Sequence, residues 1–148
     1  MNTIKNYYPN ILVALQFGII GMMVLTGHHF FATPLPLIIF LLGVALGVWA
    51  LRHNRLGNFN IQPKLRENSK LITTGIYGYI RHPMYSSVIL TMFALVVASP
   101  TVVEISLFLA LILVLWLKAK REEMLWSEHD EEYVEYRKRS KLFIPFVL

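Results

Sequence analysis

Two short stretches of this chain hold the side chains most able to do chemistry. GIYGYIRHPMY, residues 75–85, sets Arg81 and His82 directly before Pro83, and the chain then turns apolar through residue 99. KAKREE, residues 118–123, closes a second apolar run with Lys118, Lys120, Arg121, Glu122 and Glu123. A guanidinium or a protonated imidazole can hold a carboxylate, and a glutamate can hold an ammonium or hydroxyl groups. Glu122, Glu123 or His82 can also take a proton from an amine. Tyr77, Tyr79, Tyr85 and Trp126 add aromatic faces, suited to a flat ring or a cation.

The elements that must position these groups follow from composition. The chain has 148 residues, 55% hydrophobic and 16% charged, where a soluble domain carries nearer a quarter charged. The length indicates one domain over 1–148, and the excess apolar surface must face lipid. Four apolar stretches stand out, at 9–27, 34–51, 84–99 and 101–117, with Glu104 the only charge in the fourth. A crossing helix needs ~20 apolar residues, with ~17 as the lower bound. The first two stretches qualify, whereas the last two must borrow flanking residues or sit in a thinner bilayer. The first is expected to be a retained span, since no small-residue cleavage site follows it. The expected fold class is all-α, a polytopic helical membrane protein of about four transmembrane helices.

The cations orient it. Lys5 precedes the first span; Arg52, Arg55, Lys64, Arg66, Lys70 and Arg81 lie between the second and third; Lys118 and the remaining six follow the fourth. The other two connections carry none, so all 14 Lys and Arg fall on one side. Both termini are therefore expected to be cytoplasmic, with the cell inner membrane as the site. The same placement excludes nucleic acid as a partner and assigns the net charge of +5 to topology and lipid headgroups. The absence of cysteine excludes disulfides, thiolate zinc and cysteine-bound iron–sulfur clusters. His28 and His29 lie across the membrane from His53, so no metal site is expected.

Two polar pieces remain on the cation side. Residues 53–83 read as a loop broken by Gly57, Pro63, Gly75 and Gly78. Residues 118–140 read as a helix on the spacing of Glu122, Trp126, His129, Tyr133 and Tyr136, ended by Pro145. The connection around Pro100 is so short that the third and fourth spans must form an antiparallel hairpin. Arg81–Tyr85 and Lys118–Glu123 are then neighbours at its mouth. Gly43 and Gly47 form a small-residue pair on the second span, expected to pack against a neighbouring span. Taken singly, Arg81 reads as an interface anchor, and the glutamates as a solvated helix face.

The joint pattern is more specific. LITTGIYGYIRHPMY (71–85) followed by KAKREEMLWSEHDEEYVEYRKRSKLFIP (118–145) resembles the isoprenylcysteine carboxyl methyltransferase family, and related membrane phospholipid methyltransferases share parts of it. The resemblance covers roughly 60–146 and implies an integral membrane enzyme using S-adenosyl-L-methionine and releasing S-adenosyl-L-homocysteine. It implies cofactor contacts from Tyr77, His82, Tyr85, Glu122 and Glu123, with Gln62, Leu71 and Ile72 aligned in the loop. The loop and C-terminal helix would close the cofactor pocket. Lys118, or Arg121, stands where eukaryotic members carry an arginine tied to the substrate. With Arg81 and Glu122, Lys118 makes the expected catalytic set, although lysine does not reproduce arginine's bidentate grip on a carboxylate.

The resemblance further implies a lipophilic small molecule or lipidated substrate entering from the bilayer among membrane lipids. Carboxyl O-methylation of an isoprenylated or similar acceptor leads. N-methylation of a phospholipid amine is the second enzyme reading, and a non-catalytic small membrane protein is the reading of another class. No feature of the sequence reports the oligomeric state.

Overall fold

The computed structural model describes residues 2–54 and 70–145, with side chains described from residue 7. Its helices are α1 (Asn2–Thr26), α2 (Pro34–His53), α3 (Pro83–Ala98), α4 (Val102–His129) and α5 (Glu131–Arg139), with one 3-10 turn at Gly75–Gly78. No strand occurs among the described residues; an isolated parallel bridge joins Ile80 to Lys141. The expected all-α class holds.

Among the described residues, α1, α2 and α4 are long and apolar enough to cross a membrane, while α3 is a shorter apolar helix. At 1.5 Å per residue, the 16 residues of α3 rise about 24 Å against a hydrocarbon core of ~30 Å. The 28 residues of α4 rise about 42 Å, so its last turns stand clear of that core. The boundary expected at residue 118 does not exist. Lys118–His129 continues α4 without a break because Lys, Arg, Glu, Met and Leu there are all strong helix formers. The break comes at Asp130, whose extended backbone ends α4 and whose carboxylate caps α5 by accepting from the Glu132 N–H at 2.9 Å.

Packing is pairwise, α2 on α3 and α1 on α4, with α3 against α4 closing the bundle. The small-residue pair explains the first contact. A Cβ on Gly43 would lie 2.4 Å from Thr91 Oγ1, and one on Gly47 would lie 2.5 Å from Ser87 Oγ. Bare backbone lets α3 approach closely enough for Ser87 Oγ to donate to the Gly43 carbonyl at 2.8 Å. Met23, Met92, Leu111 and Leu115 fill the centre of the bundle, while Ile11, Leu15, Leu41, Val48, Leu109 and Leu113 face outward. Ser99 and Thr101 flank the tight turn between α3 and α4; Thr101 Oγ1 caps α4 by accepting from the Glu104 N–H at 3.1 Å.

Candidate functional site

The mouth of the α3–α4 hairpin is built first from backbone. Gly75 has φ of +59°, and a Cβ there would lie 2.5 Å from the His53 ring, so glycine is required on both counts. The turn it starts stacks the Tyr77 ring on His53, 6.4 Å between centroids and 23° between planes. Beyond the turn, residues 79–82 are laced to the C-terminal segment. The Arg81 N–H donates to the Lys141 carbonyl at 2.8 Å, the Lys141 N–H to Tyr79 at 3.0 Å and the His82 N–H to Leu142 at 3.2 Å. Tyr136 Oη donates to the Tyr77 carbonyl at 2.5 Å. Pro83 then opens α3, where a missing N–H costs nothing.

Arg81 and Glu123 form the inner of two charge clusters. Arg81 Nε donates to Glu123 Oε1 at 2.6 Å. Its Nη1 donates to the Arg137 carbonyl at 3.2 Å and to the Ser140 carbonyl. Lys120 Nζ and Arg137 Nε lie 3.5 and 3.8 Å from Glu123 Oε2, and Glu123 is only 2% exposed. The structure thus gives Arg81 and Glu123, expected to reach ligand, partners within the protein. They clamp α3, α4 and the tail together.

The outer cluster has open valences. Tyr85 Oη donates to Glu122 Oε1 at 2.5 Å, and His82 Nδ1 lies 3.3 Å from Glu122 Oε2. The His82 and Tyr85 rings stack with 5.5 Å between centroids and 8° between planes, and Phe143 meets both edgewise. His82 Nε2 is buried and has no hydrogen-bond partner among the described residues, with Glu123 Oε1 3.9 Å away. A buried nitrogen without a partner is costly, and Glu122 beside it is 20% exposed. Lys118 continues the chain inward: 1% exposed, it lies 5.2 Å from the Tyr85 ring centroid and donates to Gln16 Oε1 of α1 at 2.5 Å. Arg121 instead faces Tyr8 of α1, its guanidinium 5.5 Å from that ring.

Burial pushes the Tyr77 phenol up to about 12; a hydrogen bond to Asn54 opposes the shift and the charge of Glu122 adds to it. Burial likewise raises Tyr133 and Tyr136. These phenols therefore stay protonated at neutral pH. Ile72 packs on Ala50, Ile76, Tyr77 and Ile80, and Leu71 is half-buried beside it. Gln62 lies outside the described residues. Among the described residues no group of His, Asp and Glu can hold a metal ion.

His82, Tyr85, Glu122 and Lys118 lie together at the hairpin mouth, and Tyr77 sits in the turn before it, within reach of the charge of Glu122. Gln16, Tyr136, Ser140 and Phe143 were not foreseen. Gln16 did carry a signal, a carboxamide in the middle of an uncharged apolar run. The others are tail residues whose role depends on the lacing of 140–143 onto 79–82.

Comparison with known protein families matches residues 31–129 to phospholipid methyltransferase. The match takes in α2, α3 and α4 with His82, Tyr85, Lys118 and Glu122, and excludes α1 and α5. No curated protein matches the chain.

Proposed function

Because the chain belongs to the phospholipid methyltransferase family, we propose that it methylates the amine head of a membrane phospholipid with S-adenosyl-L-methionine. The observation that carries this reading is His82 Nε2, buried beside the Tyr85–Glu122 pair and without a hydrogen-bond partner among the described residues. An ammonium has no lone pair to give, so an amine acceptor needs a base at the site. With Nδ1–H turned to Glu122, Nε2 of His82 is left as the accepting nitrogen. Glu122 stabilises the imidazolium that forms when Nε2 takes the proton.

The residues present fit the cofactor. Glu122 can meet its ammonium or ribose hydroxyls, and Tyr77 and Tyr85 its adenine and sulfonium. When bound, S-adenosyl-L-methionine supplies an electrophilic methyl group on a sulfonium. The chain's own task is to align donor and acceptor and keep water out. Phe143, the tail and the Arg81–Glu123 clamp close the mouth against solvent.

A second reading, carboxyl O-methylation of an isoprenylated or similar acceptor, is favoured by Lys118. Its ammonium is buried beside Tyr85 with a neutral amide as its hydrogen-bond acceptor, and it could receive a carboxylate. A carboxylate is ionised at neutral pH and needs no base.

In both readings α1–α4 cross the membrane, both termini face the cytoplasm, and the acceptor enters laterally from the bilayer of the inner membrane. The test is incubation of purified protein with labelled methyl donor and either phosphatidylethanolamine or an isoprenylcysteine. Label in the phospholipid, with a rate that rises with pH and collapses in His82→Gln, supports the amine reading. Label only in the isoprenylcysteine supports the second, and failure to bind S-adenosylhomocysteine defeats both in favour of a non-catalytic protein.

A further inference from the structure

The three cations of α4 are not equivalent. Lys120 pairs with Glu123 at 3.5 Å, and Lys118 donates to Gln16. Arg121 has only the face of Tyr8, and its Nε is buried with no hydrogen-bond partner among the described residues. Successive helix residues turn by about 100°, so Arg121 points about a quarter-turn away from Glu122, into the seam between α1 and α4.

An apolar groove of about 400 Å³ runs along the same seam, lined by Ile11, Leu15, Gly18, Ile19 and Met22 of α1 and by Leu107 of α4. Its lining residue nearest that pair is Ile11, one turn along α1 from Tyr8. From Ile11 to Met22 the helix rises about 16 Å, close to the ~15 Å of one leaflet's hydrocarbon. At Gly18 the wall is open: a Cβ would meet no atom within 4 Å. Lys118, one turn deeper than Arg121, adds a second positive charge to the seam, and no carboxylate lies within ion-pair distance of Arg121 among the described residues.

We propose that the α1–α4 seam binds one anionic glycerophospholipid, its phosphodiester on Arg121 and one acyl chain along the groove. The guanidinium Nε–H donates to a phosphate oxygen, which satisfies the buried nitrogen with a charge-assisted bond. An anionic headgroup is preferred because the seam offers cations and no acid to receive a choline or ethanolamine. This lipid is held beside the reacting one, since Arg121 faces away from Glu122. The site belongs to this chain rather than to its family match, which begins at residue 31, after α1. It requires the membrane setting but not the methyl-transfer reading.

Native mass spectrometry of the full chain in detergent, with phosphatidylglycerol or phosphatidylcholine added, tests it. The expected result is one retained phosphatidylglycerol per chain, with phosphatidylcholine and inorganic phosphate retained poorly. Arg121→Gln should weaken retention about tenfold, the loss of one charged contact near the surface. Gly18→Leu, which fills open space, should weaken it comparably while leaving S-adenosylhomocysteine affinity and thermal midpoint unchanged. Retention of phosphatidylglycerol by both variants at the wild-type level overturns the proposal, as does equal retention of the two lipids. So does a Gly18→Leu protein that changes from dimer to monomer with lipid retention intact, because the groove would then seat a second copy of the chain.

Discussion

Arg81 Nε and Glu123 Oε1 lie 2.6 Å apart, and this ion pair ties the start of α3 to α4 where both side chains are nearly shut off from water. Removing one partner of such a pair strands a buried charge, which costs about 3–5 kcal/mol. Glu123→Gln and Arg81→Met should each lower stability by about that amount in thermal or denaturant unfolding in detergent. The double variant should lose much less than the sum. Additive losses, or a loss of cofactor affinity with no loss of stability, would show that the pair is not a clamp.

Glu122, one residue along, should behave differently. Tyr85→Phe removes its hydrogen bond to a carboxylate and should weaken S-adenosylhomocysteine binding by about 1.5–3 kcal/mol. Glu122→Gln should act in the same direction with little effect on unfolding, since Glu122 is partly exposed. Calorimetric titration of the two variants checks this, and wild-type affinity in both would move the cofactor elsewhere.

Lys118 and Gln16 should separate acceptor from cofactor. Gln16→Leu leaves the buried ammonium without its hydrogen-bond acceptor and should raise the acceptor KM or lower kcat, with S-adenosylhomocysteine affinity nearly unchanged. Loss of cofactor binding in Gln16→Leu, with the acceptor KM intact, would reverse that division of labour.

The tyrosines set an alkaline limit. The folded value of Tyr77, about 12, lies above the ~10 of an unfolded tyrosine. Its contribution to stability is therefore complete below pH ~10 and is lost as pH rises through about 12. Tyr133 and Tyr136 act in the same sense. Tyrosinate absorbance of the folded protein should show a late-titrating group that disappears in Tyr77→Phe. Full ionisation near pH 10 without unfolding would contradict the burial of these rings.

Topology is tested by reporter fusions. If α1–α4 all cross, the 14 cations fall on one side, and both termini should read cytoplasmic and residues 28–33 external. An external C-terminus would mean that the short helix α3 does not cross.

Much of this was legible in the chain. Runs of uncharged residues set the helices of the bundle, because lipid requires backbone groups to be satisfied within a helix. Gly43 and Gly47 marked the α2–α3 contact, and the short link near Pro100 brought His82, Tyr85 and Glu122 to one mouth. Tertiary structure decided the rest. Glu122 and Glu123 are indistinguishable as a sequence pair, yet the ~100° between them turns one toward Tyr85 and His82 and the other toward Arg81. Local propensity carried α4 past Lys118 to His129, where the sequence had suggested a boundary. The partners of Arg81 and Lys118 come from Ser140 and Gln16, far away along the chain. A buried charge takes whichever acceptor the packing brings within reach, and packing is set by all the helices together.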